Sequence, residues 1–292
     1  MLAQIERLKV PLQQNRNQEP NFLEIPIGTK GRETQYFAMG DTSKVYGGLL
    51  GGVSQSGKST FLNNLILQIG EKYAPNEIRL WLMDFKEGVE FIHFKQHPNV
   101  QTLIDGGGSD KMVGVHALQH LQTELAQRAK QFIEVGAKRI NEFNKMARQF
   151  GQTNAVLPRI FVIIDEVQVL FTDRQTKIEM NKVVNDLVRR GAAFGIHLLL
   201  SSQSFKGVDI DDDSKDQLKL RMAFTLANSM DCRKLMGTEN DAPLSLEPYH
   251  AIINTQLGQP SANTKVKMDY LPADELKTRL QTLMQKPHGY KD

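Results

Sequence analysis

The chain has 292 residues, room for one large α/β domain or two small ones, and its 40% hydrophobic and 24% charged content is ordinary for a globular fold with a sizeable core. A formal net charge of +3 excludes a strongly basic coat, so any nucleic-acid contact has to be local, in a loop or a pore lining. The one cysteine, Cys232, excludes an intrachain disulfide and a cysteine-based zinc cluster and suits a reducing, cytoplasmic compartment. No apolar run reaches the ~18 residues of a transmembrane helix, and the start MLAQIERLKVPLQQNRNQEP lacks the apolar core of a signal peptide.

In chain order, residues 1–21 read as a polar, amide-rich arm or linker. FLEIPIGT and TQYFAMGD read as two strands joined by the turn KGRE. Five apolar runs of buried-strand length follow: YGGLLGGV, IRLWLMDF, VQTLID, RIFVIIDE and GIHLLLSSQ. Helical patterns lie between them, over Ser59–Glu71, over Val113–Gly136 with Gly136 as a natural stop, and over Ile178–Gly191. Strands that alternate with helices imply βαβ units and a parallel sheet. LRMAFTLAN, YHAIINTQ and KVKMDYL suggest further strands, and Pro272–Gln285 a last helix. The expected architecture is an α/β, RecA-like P-loop domain over residues 22–292, its mainly parallel sheet flanked by helices, with a short N-terminal β extension.

Gly52 to Ser59 spell G-x-x-x-x-G-K-[ST] between a predicted strand and a predicted helix. The glycines Gly52 and Gly57 permit a tight turn and close backbone approach to a ligand. Backbone N–H groups along Val53, Ser54, Gln55, Ser56 and Thr60 would face the phosphates of ATP. Lys58 would reach the β- and γ-phosphates and Ser59 would ligate Mg²⁺. Asp165 ends the apolar strand IFVIID and is the second acid such a magnesium site requires. Glu166 follows it, placed to polarise the water that attacks the γ-phosphate. Gln203, at the end of HLLLSSQ, is placed to sense that phosphate between the two strands.

At these residues the chain resembles the FtsK/SpoIIIE family of hexameric motor ATPases. LWLMDFKEGVEF resembles the family's second core strand with its Asp-x-Lys end, Asp84 and Lys86. HPNVQTLI, the helix with Glu124 and Arg128, the stretch Gly136–Asn144, LPRIFVIIDE and RRGAAFGIHLLLSSQ are similar to family segments in the same order. LRMAFTLANSMDCRKLMG resembles the strand and arginine element beyond the sensor glutamine. The resemblance covers residues 22–258. It implies ATP hydrolysis with Mg²⁺ in a homo-oligomeric, hexameric ring, and translocation of double-stranded DNA. It also implies an arginine supplied by the neighbouring subunit, for which Arg221 and Arg233 match family arginines. Two positions depart from the pattern: Ser204 and Ala192 stand where many members carry arginine, while Arg189 and Arg190 lie slightly earlier. The family's membrane domain and winged helix have no counterpart here, so the chain reads as a motor core, with any membrane anchor in a parent or partner protein.

Other constellations carry less. His116 and His120 have the spacing of a zinc pair, but the glutamate of H-E-x-x-H is Ala117. Asp209, Asp211 and Asp213 begin like a calcium loop, yet Ser214 and Leu220 occupy the glycine and glutamate positions. Arg174, Lys177 and Lys206 follow strand ends and would touch phosphate backbones in a ring pore. The rival readings are an ATPase of type VII protein secretion, which resembles this family too and engages an export-signal peptide, and a nucleotide-gated assembly module with little turnover.

Overall fold

Leu49 and Leu50, Ile163 and Ile164, and Leu199 and Leu200 are chain neighbours, and in each pair one side chain enters one core and the other the opposite core. Side chains alternate across a strand, so a continuous apolar run marks a strand covered on both faces. The computed structural model describes residues 20–86, 90–106 and 111–285. There these runs form the middle of a ten-stranded sheet.

Its strands are β1 (Asn21–Lys30), β2 (Glu33–Gly40), β3 (Gly48–Gly51), β4 (Ile78–Asp84), β5 (Val100–Asp105), β6 (Arg159–Asp165), β7 (Ile196–Ser202), β8 (Leu220–Ala223), β9 (His250–Asn254) and β10 (Thr264–Met268). They lie in the order β2-β1-β10-β9-β8-β3-β7-β6-β4-β5. From β8 to β5 every pairing is parallel; from β8 outwards to β2 every pairing is antiparallel. The helices α1 (Lys58–Lys72) and α7 (Ala273–Gln285) cover one face. On the other lie α2 (Met112–Val135), α4 (Arg174–Phe194) and α6 (Ser229–Met236). Among the described residues no helix is long and apolar enough to cross a membrane.

The N-terminal strands extend the central sheet itself. β1 pairs with β10, so the hairpin continues the same sheet. Asn21, assigned to the arm, already belongs to β1, and residues 1–19 lie outside the described residues. Gly136 ends α2 in the left-handed conformation at φ 73°, the stop its sequence position implies. α4 begins four residues earlier than its apolar pattern, at Arg174, because Asp173 caps it by accepting from the Thr176 N–H at 2.9 Å. The stretch after Gly136 forms a further helix, α3 (Ile140–Gln149). From it Asn144 accepts from the Leu157 N–H at 2.9 Å and donates to the Leu157 carbonyl at 2.8 Å, fixing the chain just ahead of β6.

Two registers create the site. Gly51 stands beside Ser202 and Ala223, and Asp84 beside Asp165 and Asp105. The parallel strands therefore end level, and their carboxyl ends share one edge, where open α/β sheets bind ligands.

Candidate active site

The loop between β3 and α1 is held from both sides. Gly52 N–H donates to the Ser202 carbonyl at 3.2 Å, and Val53 N–H to the Thr225 carbonyl at 2.9 Å. Gln55 and Gly57 take φ of 64° and 107°, so the turn needs the left-handed region twice. A side chain at Gly52 would lie 2.7 Å from Ser56 Oγ, which explains glycine there. Gly57 is the N-cap of α1 and no side chain caps that helix. Its first N–H groups stay open for an anion, with the helix dipole behind them. Ser56 Oγ is buried with no hydrogen-bond partner, an orphaned donor inside the loop. This cradle fits a polyphosphate.

Lys58 is buried at 4% exposure and is already paired. Its Nζ donates to Asp165 Oδ1 and to Ser201 Oγ, the latter at 3.2 Å, and lies 3.6 Å from Glu166 Oε1. Ser201 Oγ donates in turn to Asp165 Oδ1 at 2.6 Å. Glu166 adopts φ 54°, a left-handed conformation rare for glutamate, at the point where β6 ends. Such strain persists where surrounding contacts over-determine it. Here the Glu166 carboxylate accepts from Gln168 Nε2 and, at 3.4 Å, from the Gln203 N–H. Gln168 is itself set by Ser202 Oγ, which donates to its Oε1 at 2.6 Å. The Gln203 side chain accepts from Ser54 Oγ at 3.3 Å, so the predicted sensor touches the phosphate loop. The structure thus brings together the loop from Gly52 to Thr60, Asp165, Glu166 and Gln203.

Sequence reasoning missed Ser201, Gln168 and Glu90. Glu90 is held by Asp84, whose Oδ2 accepts from its N–H at 3.0 Å. Burial, then the Asp165 charge, push its carboxyl above the usual range, against the Ser59 hydrogen bond and Lys58. Ser201 sits two residues before Gln203 on an apolar strand, a legible hint; Glu90 is held by a backbone bond to Asp84, six residues earlier in the chain. One ammonium therefore faces two carboxylates, Asp165 and Glu166. That surplus of hard oxygen donors around the Ser59 hydroxyl fits Mg²⁺. Among the described residues no group of three or more acids, histidines or cysteines forms a complete metal cage. Mg²⁺ does not need one, because it takes one or two carboxylates together with substrate phosphates and water.

Arg221 and Arg233 lie elsewhere. Both line a cavity of about 360 Å³ with Lys215, Asp216, Met230 and Lys234, a lining that includes no residue of the phosphate loop. Arg221 is buried on β8, donates from Nη2 to the Lys215 carbonyl at 2.8 Å, and leaves Nη1 unpaired. Burial pushes its guanidinium down to about 10.

Among the remaining candidates, His120, Asp209, Asp211, Asp213 and Lys177 have structural partners. His120 stacks on Trp81 with ring centroids 6.0 Å apart. Asp211 caps the short helix α5 (Asp212–Gln217), accepting from the Ser214 N–H at 2.9 Å, and Arg189 bridges Asp211 and Asp213 at 3.4 and 3.2 Å. Lys177, expected to grip nucleic-acid phosphate, is paired with Asp209 at 2.7 Å. Cys232 is buried, and burial pushes its thiol up to about 11, far from a reactive thiolate.

A phosphate loop on β3, an acidic pair at the end of β6 and a polar strand end on β7 between them define a P-loop ATPase fold of the RecA type. The FtsK/SpoIIIE family model matches residues 10–206, more than half of the chain, and the protein belongs to that family. Among curated relatives, the ESX secretion system protein YukB of Bacillus subtilis (strain 168) is 28% identical over 77% of this chain and 15% of its own length. The type VII secretion system protein EssC of Staphylococcus aureus (strain Mu50) is 26% identical over 84% of this chain and 16% of its own length. The chain thus spans about one sixth of these relatives. Among solved structures, the cytoplasmic domain of the type VII secretion ATPase EccC of Thermomonospora curvata superposes with a TM-score of 0.77 at 21% identity, over 99% of this chain and 35% of that one. The pCW3 conjugation coupling protein TcpA, solved as a monomer with ATPγS, gives 0.70 at 21% identity, over 95% and 75%. ATPases 2 and 3 of T. curvata EccC, solved with a signal sequence peptide, give 0.66 at 18% identity, over 91% and 47%. The curated relatives named here are secretion proteins, which favours the protein-export reading over double-stranded DNA translocation, and Lys177 is paired with Asp209.

Proposed function

We propose that residues 22–292 form an ATP-hydrolysing motor domain that serves protein export and engages an export-signal peptide in the cytoplasm. The observation that carries the hydrolytic reading is Glu166, strained into the left-handed region 3.6 Å from the phosphate-loop lysine. The support for export comes from the secretion proteins YukB and EssC and from the EccC fold seen with a signal peptide.

In this reading Lys58 leaves Asp165 for the β- and γ-phosphate oxygens of ATP. Ser59 and Asp165 would hold Mg²⁺, which would supply charge neutralisation at those phosphates. Glu166 accepts the proton of the attacking water as its oxygen bonds to the γ-phosphorus and the bond to the β-phosphate oxygen breaks. Gln203, tied to Ser54, carries the presence of the γ-phosphate to β7. Chains assemble into a ring, and Arg233, exposed on α6, reaches the neighbour's γ-phosphate, a contribution worth about 10³–10⁵ in rate where such fingers are known. Arg221, buried on β8 and bonded to the Lys215 carbonyl, is not free for that reach.

The test is phosphate release from Mg-ATP by the wild type and by Lys58→Ala. Turnover in the wild type that Lys58→Ala abolishes supports the reading. Binding of ATP without turnover at any protein concentration would replace it with a nucleotide-gated assembly module.

A further inference from the structure

We propose that Tyr249 and Tyr270 form the platform on which the base of the bound nucleotide stacks. The proposal rests on the nucleotide site described above and extends it beyond the phosphates.

The sheet order divides the site. β7 and β6 lie on one side of β3 and carry Ser201, Gln203, Asp165 and Glu166, the groups that gather at the γ-phosphate end. β8, β9 and β10 lie on the other side, and the segments next to β9 and β10 carry Tyr249 and Tyr270. A nucleotide laid across the loop with its γ-phosphate at Glu166 directs its base towards this tyrosine pair.

Tyr249 is fastened to the loop itself. Its N–H donates to the Ser56 carbonyl at 3.1 Å, and its own carbonyl accepts from the Met268 N–H at 2.8 Å. A methyl group at Gly57 would lie 3.1 Å from Tyr249 Cδ1, so the ring packs against the last glycine of the phosphate loop. Tyr249 holds φ 59°, a conformation that bulky residues avoid and that these two backbone hydrogen bonds enforce. Tyr270 meets it edge to face, with centroids 5.2 Å apart. Neither ring is used by the core: Tyr249 is 37% exposed and Tyr270 61%. Two water-facing aromatic rings, one strained into place against a phosphate loop, offer an apolar face where the nucleoside must lie. Stacking depends on the π-face that every base possesses, so the platform binds bases with little discrimination.

The experiment measures dissociation constants of ATP, GTP and inorganic triphosphate, each with Mg²⁺, for the full chain and for Tyr270→Ala and Tyr270→Phe. The expected result is that Tyr270→Ala weakens ATP and GTP each by about 5- to 150-fold. Triphosphate binding stays unchanged, and Tyr270→Phe keeps wild-type affinity. Unchanged ATP affinity in Tyr270→Ala overturns the platform. A parallel loss of triphosphate also overturns it, since the ring would then only brace the loop. If the wild type binds neither triphosphate nor ATP, the nucleotide site itself fails and the platform with it.

Discussion

Lys58 waits in a buried contact with Asp165, with Ser201 bonded to both. A buried charge needs a partner, and the same carboxylate that satisfies the lysine without a nucleotide becomes a magnesium neighbour when phosphate takes the lysine. Glu166 has a different task, because its carboxylate can accept a proton and an amide cannot. Glu166→Gln therefore keeps ATP affinity within a few-fold and lowers turnover by about 10²–10⁴. Calorimetry and a phosphate-release assay check the two halves; a turnover near wild type would remove Glu166 from the chemistry. At this scale the phosphate loop, Asp165 and Glu166 were legible because their chemistry follows from adjacent residues. Tyr249 was not, because it reaches the site through a partner distant in the chain, the Ser56 carbonyl, and Glu90 was not, because only its backbone bond to Asp84 holds it there.

Elements keep the site's edge level, and Arg128 is one of the clamps. It is 2% exposed on α2 and donates to the Pro158 carbonyl at 3.0 Å, just before β6, and to the Phe194 carbonyl at 2.8 Å, at the end of α4. Burial lowers its pKa, and Glu124, accepting from Nε at 2.8 Å, opposes that. The family-like Glu124–Arg128 pair is thus an architectural joint between α2, β6 and α4. Arg128→Met leaves two carbonyls short of a donor, which costs about 2–3 kcal/mol. A urea titration should show the midpoint fall with an unchanged slope; an unaltered midpoint would deny the clamp. Strand and helix identities were readable from apolar runs and the Gly136 stop. The start of α4 and the existence of α3 were not, since a side-chain cap at Asp173 and the Asn144 contacts to Leu157 set them.

On the scale of the whole molecule, His197 links the N-terminal hairpin to the sheet centre. It is buried on β7, stacked on Phe22 at 4.2 Å, its Nδ1 3.0 Å from the Tyr46 carbonyl and its Nε2 3.4 Å from Arg159 Nη1. Burial, then the charge of Arg159, hold its pKa well below the ordinary histidine value. A lowered histidine pKa means that the unfolded chain binds the proton more readily. Stability is then complete above the unfolded value of about 6.5 and is lost as pH falls below it, at about 1.4 kcal/mol per pH unit. Melting temperatures from pH 7.5 to 5.5 should fall, and His197→Gln should flatten that slope; identical slopes would refute the assignment. The joining of β1 to β10 could not be read from local pattern, because it pairs the two ends of the chain.

The cargo belongs to this scale too, since the phosphate loop sees only nucleotide. Fluorescence anisotropy with Mg-ATP at low salt, comparing a labelled synthetic export-signal helix with a labelled duplex DNA on the Glu166→Gln chain, tests the account most directly. The account predicts saturable binding of the peptide and none of the duplex. Saturable, salt-dependent binding of the duplex with no binding of the peptide would contradict it.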